Sequence, residues 1–139
     1  MASKTLTNTT THPDTTASIT FDAADTARGA NADVKIIYPT AASSYRITTA
    51  IMPPGSGFHP GAHWHEDYDE VMRVKQGRMR LRLNGEMRIV TPEDGEVVIK
   101  RGVVHDFWRA DVDAGSEGKE EGDVVVEEWM EPGMTFNLL

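Results

Sequence analysis

From Arg78 to Leu83 charge and hydrophobe alternate without a break, Arg-Met-Arg-Leu-Arg-Leu, and the run ends in Asn84-Gly85. A period of two places Met79, Leu81 and Leu83 on one face and Arg78, Arg80 and Arg82 on the other, as in a half-buried strand whose arginine row is solvated. Asn-Gly is the pair favoured in a primed two-residue turn, so the chain must double back as a hairpin. Runs with strand character recur at 34–38, 45–52, 62–65, 69–76, 86–91, 96–100, 104–110 and 122–130, punctuated by glycine and proline. Helical periodicity never takes hold. Many short strands with close turns predict an all-β sandwich or barrel.

The chain has 139 residues, 39% of them apolar, enough for a single core, and one domain is expected over 31–139. Residues 1–30 are rich in Thr, Ala, Asp and Asn, with apolar anchors at Leu6, Ile19 and Phe21, and are expected to form a flexible arm. Ile19-Thr20-Phe21 still suits pairing with a sheet edge. Residues 111–123 are acidic and glycine-rich, the composition of a solvated loop between two late strands.

A net charge of -8 repels polyphosphate and anionic lipid, so neither nucleic acid nor membrane is expected as a partner. With no cysteine, disulfides, thiolate metal sites and cysteine nucleophiles are excluded, and any metal must be held by His and carboxylate. No apolar run approaches the roughly 18 residues of a membrane span. The opening MASKTLTNTT lacks the apolar stretch of an export signal, and a cytoplasmic location is the expectation.

Four of the five histidines lie between 59 and 105, two of them as His63-Trp64-His65. In a strand, residues i and i+2 share a face, so both imidazoles project together as two ligands of one ion require. Taken alone, two histidines around a tryptophan are more often surface aromatics. Glu70, five residues on, can return on a neighbouring strand, and its parity with Met72 and Val74 points it inward. His105, at the start of a later strand, can add a third nitrogen. Three imidazoles and a carboxylate suit Fe, Mn, Ni, Cu or Zn as a divalent ion, with coordination positions left open.

In this arrangement the chain resembles the cupin family. The first family motif runs Gly, five residues, His-x-His, three or four residues, Glu, six residues, Gly, and is matched by Gly57, His63, His65, Glu70 and Gly77. The second runs Gly, five residues, Pro-x-Gly, two residues, His, three residues, Asn. Here Gly102 and His105 are kept, Lys100 replaces Pro, Asp94 stands in the place of the first Gly with Gly95 one step late, and Arg109 replaces Asn. The resemblance covers about residues 45 to 110. It implies a double-stranded β-helix, or jelly-roll barrel, holding one divalent metal by His63, His65, Glu70 and His105.

Members of that family carry out dioxygenation, decarboxylation, isomerisation or cyclisation at such a site, and others only bind ligands. The resemblance therefore implies a metal-dependent enzyme acting on a small oxygen-bearing organic molecule, secondary metabolism included, with a non-catalytic metal- and ligand-binding protein as the alternative. It also implies a homodimer, to which the arm can lend a strand. Beyond the ligand Glu70, the candidates for catalysis follow from parity. Tyr45 shares a face with Ile47, Thr49 and Ile51. Arg109 shares parity with His105 and Phe107, and in a cavity its guanidinium would grip a substrate carboxylate through two parallel bonds. Of Glu127 and Glu128 one faces each way; Glu127 is taken as the general base, since a carboxylate in an apolar barrel has its pKa raised.

Overall fold

Alternation along each run decides which side chains meet in the middle. The computed structural model describes residues 33–39 and 47–131 in full and, for two further strands, Lys4–Thr7 and Thr15–Phe21, the backbone alone. In chain order the strands are β1 (Lys4–Thr7), β2 (Thr15–Phe21), β3 (Val34–Pro39), β4 (Thr48–Met52), β5 (Asp69–Gln76), β6 (Met79–Leu83), β7 (Glu86–Val90), β8 (Glu96–Ile99), β9 (His105–Arg109) and β10 (Val124–Glu131). The large sheet has the order β1-β2-β3-β4-β10-β5-β8 and the small one β7-β6-β9. All pairings are antiparallel. This is an all-β jelly roll.

The large sheet turns Ala50 and Met52 of β4, Met72 and Val74 of β5, and Val124 and Val126 of β10 inward. The small sheet answers with Met79 and Leu81 of β6 and Phe107 of β9, and these residues form one buried cluster. Removing such side chains from water, at about 25 cal/mol per Å² of apolar surface, is what drives the two layers together. Phe58, on the loop between β4 and β5, closes the core against Phe107 with ring centroids 6.5 Å apart.

The hairpin falls where alternation predicts it. Leu83 pairs with Glu86 around a two-residue turn in which Asn84 and Gly85 have φ of 48° and 86°. Gly77 ends β5 at φ 79°, and a Cβ there would lie 2.9 Å from Val124 Cγ2 and 3.1 Å from the Asp123 carbonyl oxygen. Only glycine meets both conditions.

Two boundaries differ from the sequence expectation. Residues 62–65 are not a strand: His63 makes a single two-bond bridge to His105, and the segment otherwise runs irregularly after Pro60 and a left-handed Gly61 at φ 94°. Strand β4 begins at Thr48, and Tyr45 lies outside the described residues. At the other edge, β2 pairs with β3, Phe21 opposite Val34 and Ile19 opposite Ile36, so the arm extends the large sheet within its own chain.

Candidate metal centre

The bridge between residues 63 and 105 brings the first two donors together. His63 N–H donates to the His105 carbonyl at 3.0 Å and His105 N–H to the His63 carbonyl at 2.9 Å, leaving the rings 4.2 Å apart. The Gly102 N–H holds the His65 carbonyl at 2.7 Å, which fastens the third histidine to the turn preceding β9. Glu70 enters from β5, where it pairs with Ile99 of β8, and Asp69 beside it accepts from the Arg101 N–H at 2.9 Å. One ligand atom from each of His63, His65, Glu70 and His105 lies within 4.8 Å of the other three. Trp64 points the opposite way: it is 56% exposed and lines a shallow outer groove of about 440 Å³ with Glu66, Arg101, Gly102 and Val104.

The far side of each ring is also held. His63 Nδ1–H donates to the Gly61 carbonyl at 2.6 Å, and His105 Nδ1–H to the Val103 carbonyl at 2.9 Å. His65 Nδ1 meets the Tyr68 hydroxyl at 2.9 Å, with the two rings stacked at 4.6 Å. A carbonyl can only accept, so Nδ1 of His63 and His105 must carry the proton, and the neutral ring then presents an Nε2 lone pair inward. Glu70 Oε2 lies 2.7 Å from His105 Nε2 and 3.0 Å from His65 Nε2. Lone pairs facing a carboxylate oxygen at these distances repel unless a cation, proton or metal, lies among them. The donor set therefore fits a divalent metal.

Without such an ion, protons take up the charge. Burial works against protonation of His105, yet its hydrogen bonds to Glu70 and to the Val103 carbonyl push its pKa up. For His65 burial prevails and lowers the pKa. Burial would raise the Glu70 pKa, but hydrogen bonds from His105 and Glu128 hold it below the ordinary carboxylate range. Glu128 goes the other way: desolvation, then the hydrogen bond with Glu70 and the charge of Glu70, push its carboxyl up. The two carboxyls share a hydrogen bond, and burial beside the charge of Glu70 favours the proton on Glu128.

Of the proposed catalytic residues, Glu70 sits in the cluster and two others lie elsewhere. Glu127 faces the outer side of the large sheet, where Arg73 Nη2 donates to it at 2.9 Å and stacks over Trp129 at 5.4 Å. The inward member of the pair is Glu128, because Val124 and Val126 fix the phase of β10. Arg109 is inward but fully buried at the far end of β9, with its donors spent inside the protein. Its Nε and Nη2 meet the two oxygens of Asp111 at 2.8 and 3.0 Å, and its remaining donors go to the carbonyls of Met52, Gly122 and Glu120. No donor is left for a substrate carboxylate. The arginine row lies outside, with Arg82 over Trp108 at 5.2 Å and Arg78 donating to Glu120 at 3.2 Å.

Sequence reasoning missed Tyr68 and the anchoring carbonyls. Tyr68 shares parity with Glu70, a signal that was present. A backbone carbonyl carries no residue-type signal at all.

Two antiparallel sheets closed over a core, with three imidazoles and an acid gathered at one mouth, define the class as a jelly roll with a metal-type centre. The Cupin domain family matches residues 48–115, a stretch containing all four donors, and the chain belongs to the cupin family. Among curated proteins it is similar to the probable oxidoreductase patJ of Penicillium expansum, 41% identical over 49 residues, covering 35% of this chain and 15% of that protein. It is also similar to the probable oxidoreductase virH of Hypocrea virens, 32% identical over 73 residues, 52% of this chain and 30% of that protein. The match thus spans less than a third of either relative.

Among solved structures, KdgF from Halomonas sp. is 20% identical with a TM-score of 0.50, over 77% of this chain and 83% of that one. A predicted oxalate decarboxylase from Thermotoga maritima is 16% identical with a TM-score of 0.51, over 69% and 77%. The Drosophila melanogaster CENP-C cupin domain is 10% identical with a TM-score of 0.52, over 70% and 69%. At these identities the likeness is one of fold.

Proposed function

We propose that this cupin is a metal-dependent enzyme acting on a small oxygen-bearing organic molecule, with His63, His65, Glu70 and His105 as ligands of one divalent ion. The observation that carries the reading is the convergence of four donors, the three imidazoles among them having their outward ring nitrogens already tied down. When bound, the ion supplies Lewis-acid polarisation of a substrate oxygen and, if it is redox-active, electron transfer. The names of the fungal relatives favour the redox route.

The chain's own residues do the rest. The Gly61 and Val103 carbonyls and the Tyr68 hydroxyl orient the imidazoles. Met72 and Phe107, buried and two residues along their strands from Glu70 and His105, make the inner side apolar. Glu128, beside Glu70, is placed to hold or move a proton at its carboxyl, and buried Thr48 lies opposite it on β4. In this reading Glu128, the inward member of the pair, takes the general-base role expected of Glu127.

The same fold occurs in CENP-C bound to CAL1, so architecture alone does not carry catalysis, and metal and ligand binding without turnover is the second reading. Turnover tests the first reading against it. The purified chain, its metal identified by elemental analysis, is offered panels of small carboxylates, enols and phenols with and without oxygen. Oxygen-dependent turnover abolished by chelation supports an oxygenase, anaerobic turnover that tolerates zinc supports a lyase, isomerase or cyclase, and tight ligand binding without product supports the non-catalytic reading.

A further inference from the structure

The outer face of β9 carries an acid that no role above uses. Asp106 points away from the four donors and is only 5% exposed. Its Oδ1 accepts from the Gly61 N–H at 3.1 Å and from the Phe107 N–H at 2.9 Å, while Oδ2 meets His59 Nδ1 at 2.9 Å. Gly61 is the residue whose carbonyl receives the His63 Nδ1 proton. The loop it belongs to contains Pro53, Pro54 and Pro60 and forms no strand, and Gly61 itself has a left-handed φ of 94°. A glycine in that region has nearly free backbone rotation and no side chain to anchor it. Its place is set by what its N–H meets.

We propose that Asp106 is a positioning residue of the metal centre: by holding the Gly61 N–H it fixes the carbonyl that sets the tautomer and direction of the His63 ring. The chain of contacts runs from a buried carboxylate, through one peptide segment, to one ligand. His59 is a second, separate partner of the same carboxylate, packed edge-on against Trp108 at 6.3 Å, and lies outside this path. Outer partners of metal ligands typically change affinity by about 10–100-fold when removed. The affinity consequence rests on the metal-dependent reading above, whereas the tautomer consequence does not.

The test uses the full chain as wild type, Asp106→Ala, Asp106→Asn and His59→Ala. Long-range ¹H–¹⁵N spectra of the metal-free protein at about pH 8, where an unperturbed imidazole is neutral, read the His63 tautomer. Titration with Co(II) reads affinity. Wild type should show His63 protonated at Nδ1. Asp106→Ala should give mixed tautomers and a Co(II) dissociation constant raised roughly 10–100-fold. Asp106→Asn keeps an acceptor for Gly61 and should rescue both, and His59→Ala should leave both as in wild type. Where Asp106→Ala does not fold, Asp106→Ser, which still serves the Phe107 N–H but falls short of Gly61, is read in its place. An unchanged His63 tautomer in the Ala or Ser variant overturns the proposal, as does an Asn or His59 variant as impaired as Ala. A wild type that binds no Co(II) would count against the metal reading, while the spectra would still decide the role of Asp106.

Discussion

Arg109 shows what a single residue can hide. Parity places it inward correctly, but inward at the far end of a strand means core, and its partner Asp111 lies in a loop that no periodicity describes. Breaking a buried ion pair from one side leaves a charge without compensation, so Arg109→Met should cost about 3–5 kcal/mol in urea unfolding. The Arg109 hydrogen bond, against an opposing effect of burial, holds the Asp111 carboxyl down to about 2. A lowered folded-state pKa stabilises fully above the unfolded value of about 3.9 and loses that stabilisation as pH falls toward 2. The stability gap between wild type and Asp111→Asn should therefore be constant from about pH 7 to 5 and narrow from there to pH 2; a gap independent of pH would remove the ion pair from the account. Glu128 was legible only as one of two neighbours, because alternation gives a period and not a phase. Glu128→Gln should lower turnover about 10²–10⁴-fold on a substrate found by panel screening, with metal occupancy retained. Equal turnover would return Glu128 to a structural role.

Among elements, the β6–β7 hairpin was the most legible, since alternation and Asn-Gly specify the same register independently. The segment 62–65 was the least. Its composition suits a strand, but beyond the His63–His105 bridge and the single bond from the Gly102 N–H to the His65 carbonyl no ladder forms where Pro60 and Gly61 bend the chain, and the His63 ring meets the Gly61 carbonyl. The edge pairing of β2 with β3 shows the converse: a run with few apolar anchors takes strand form beside an existing sheet edge. Gly77 belongs at this scale because it links β5 to β6 while its backbone packs against the start of β10. Gly77→Ala adds both a left-handed alanine and a close contact with Val124, and should cost about 1–3 kcal/mol by denaturant titration. A cost within about 0.5 kcal/mol would mean that the turn relaxes freely.

At the scale of the whole molecule, the family was legible because the ligands and their flanking glycines sit at fixed offsets, and the fold exists to return those offsets to one point. The substrate end was not, since Lys100 and Arg109 depart from the second motif and the second of them is consumed by packing. The central claim is that His63, His65, Glu70 and His105 form one metal centre. An ion that binds only the folded chain stabilises it by about 2.7 kcal/mol at a hundredfold excess over its dissociation constant, a melting shift on the order of 10 °C. The decisive measurement is bound metal per chain, together with melting temperature, for wild type and His105→Ala after loading with a divalent transition metal and removal of excess. The account predicts close to one ion per chain and a raised melting temperature for wild type, with both lost in the variant. Equal metal content and equal melting temperatures in the two proteins would contradict it.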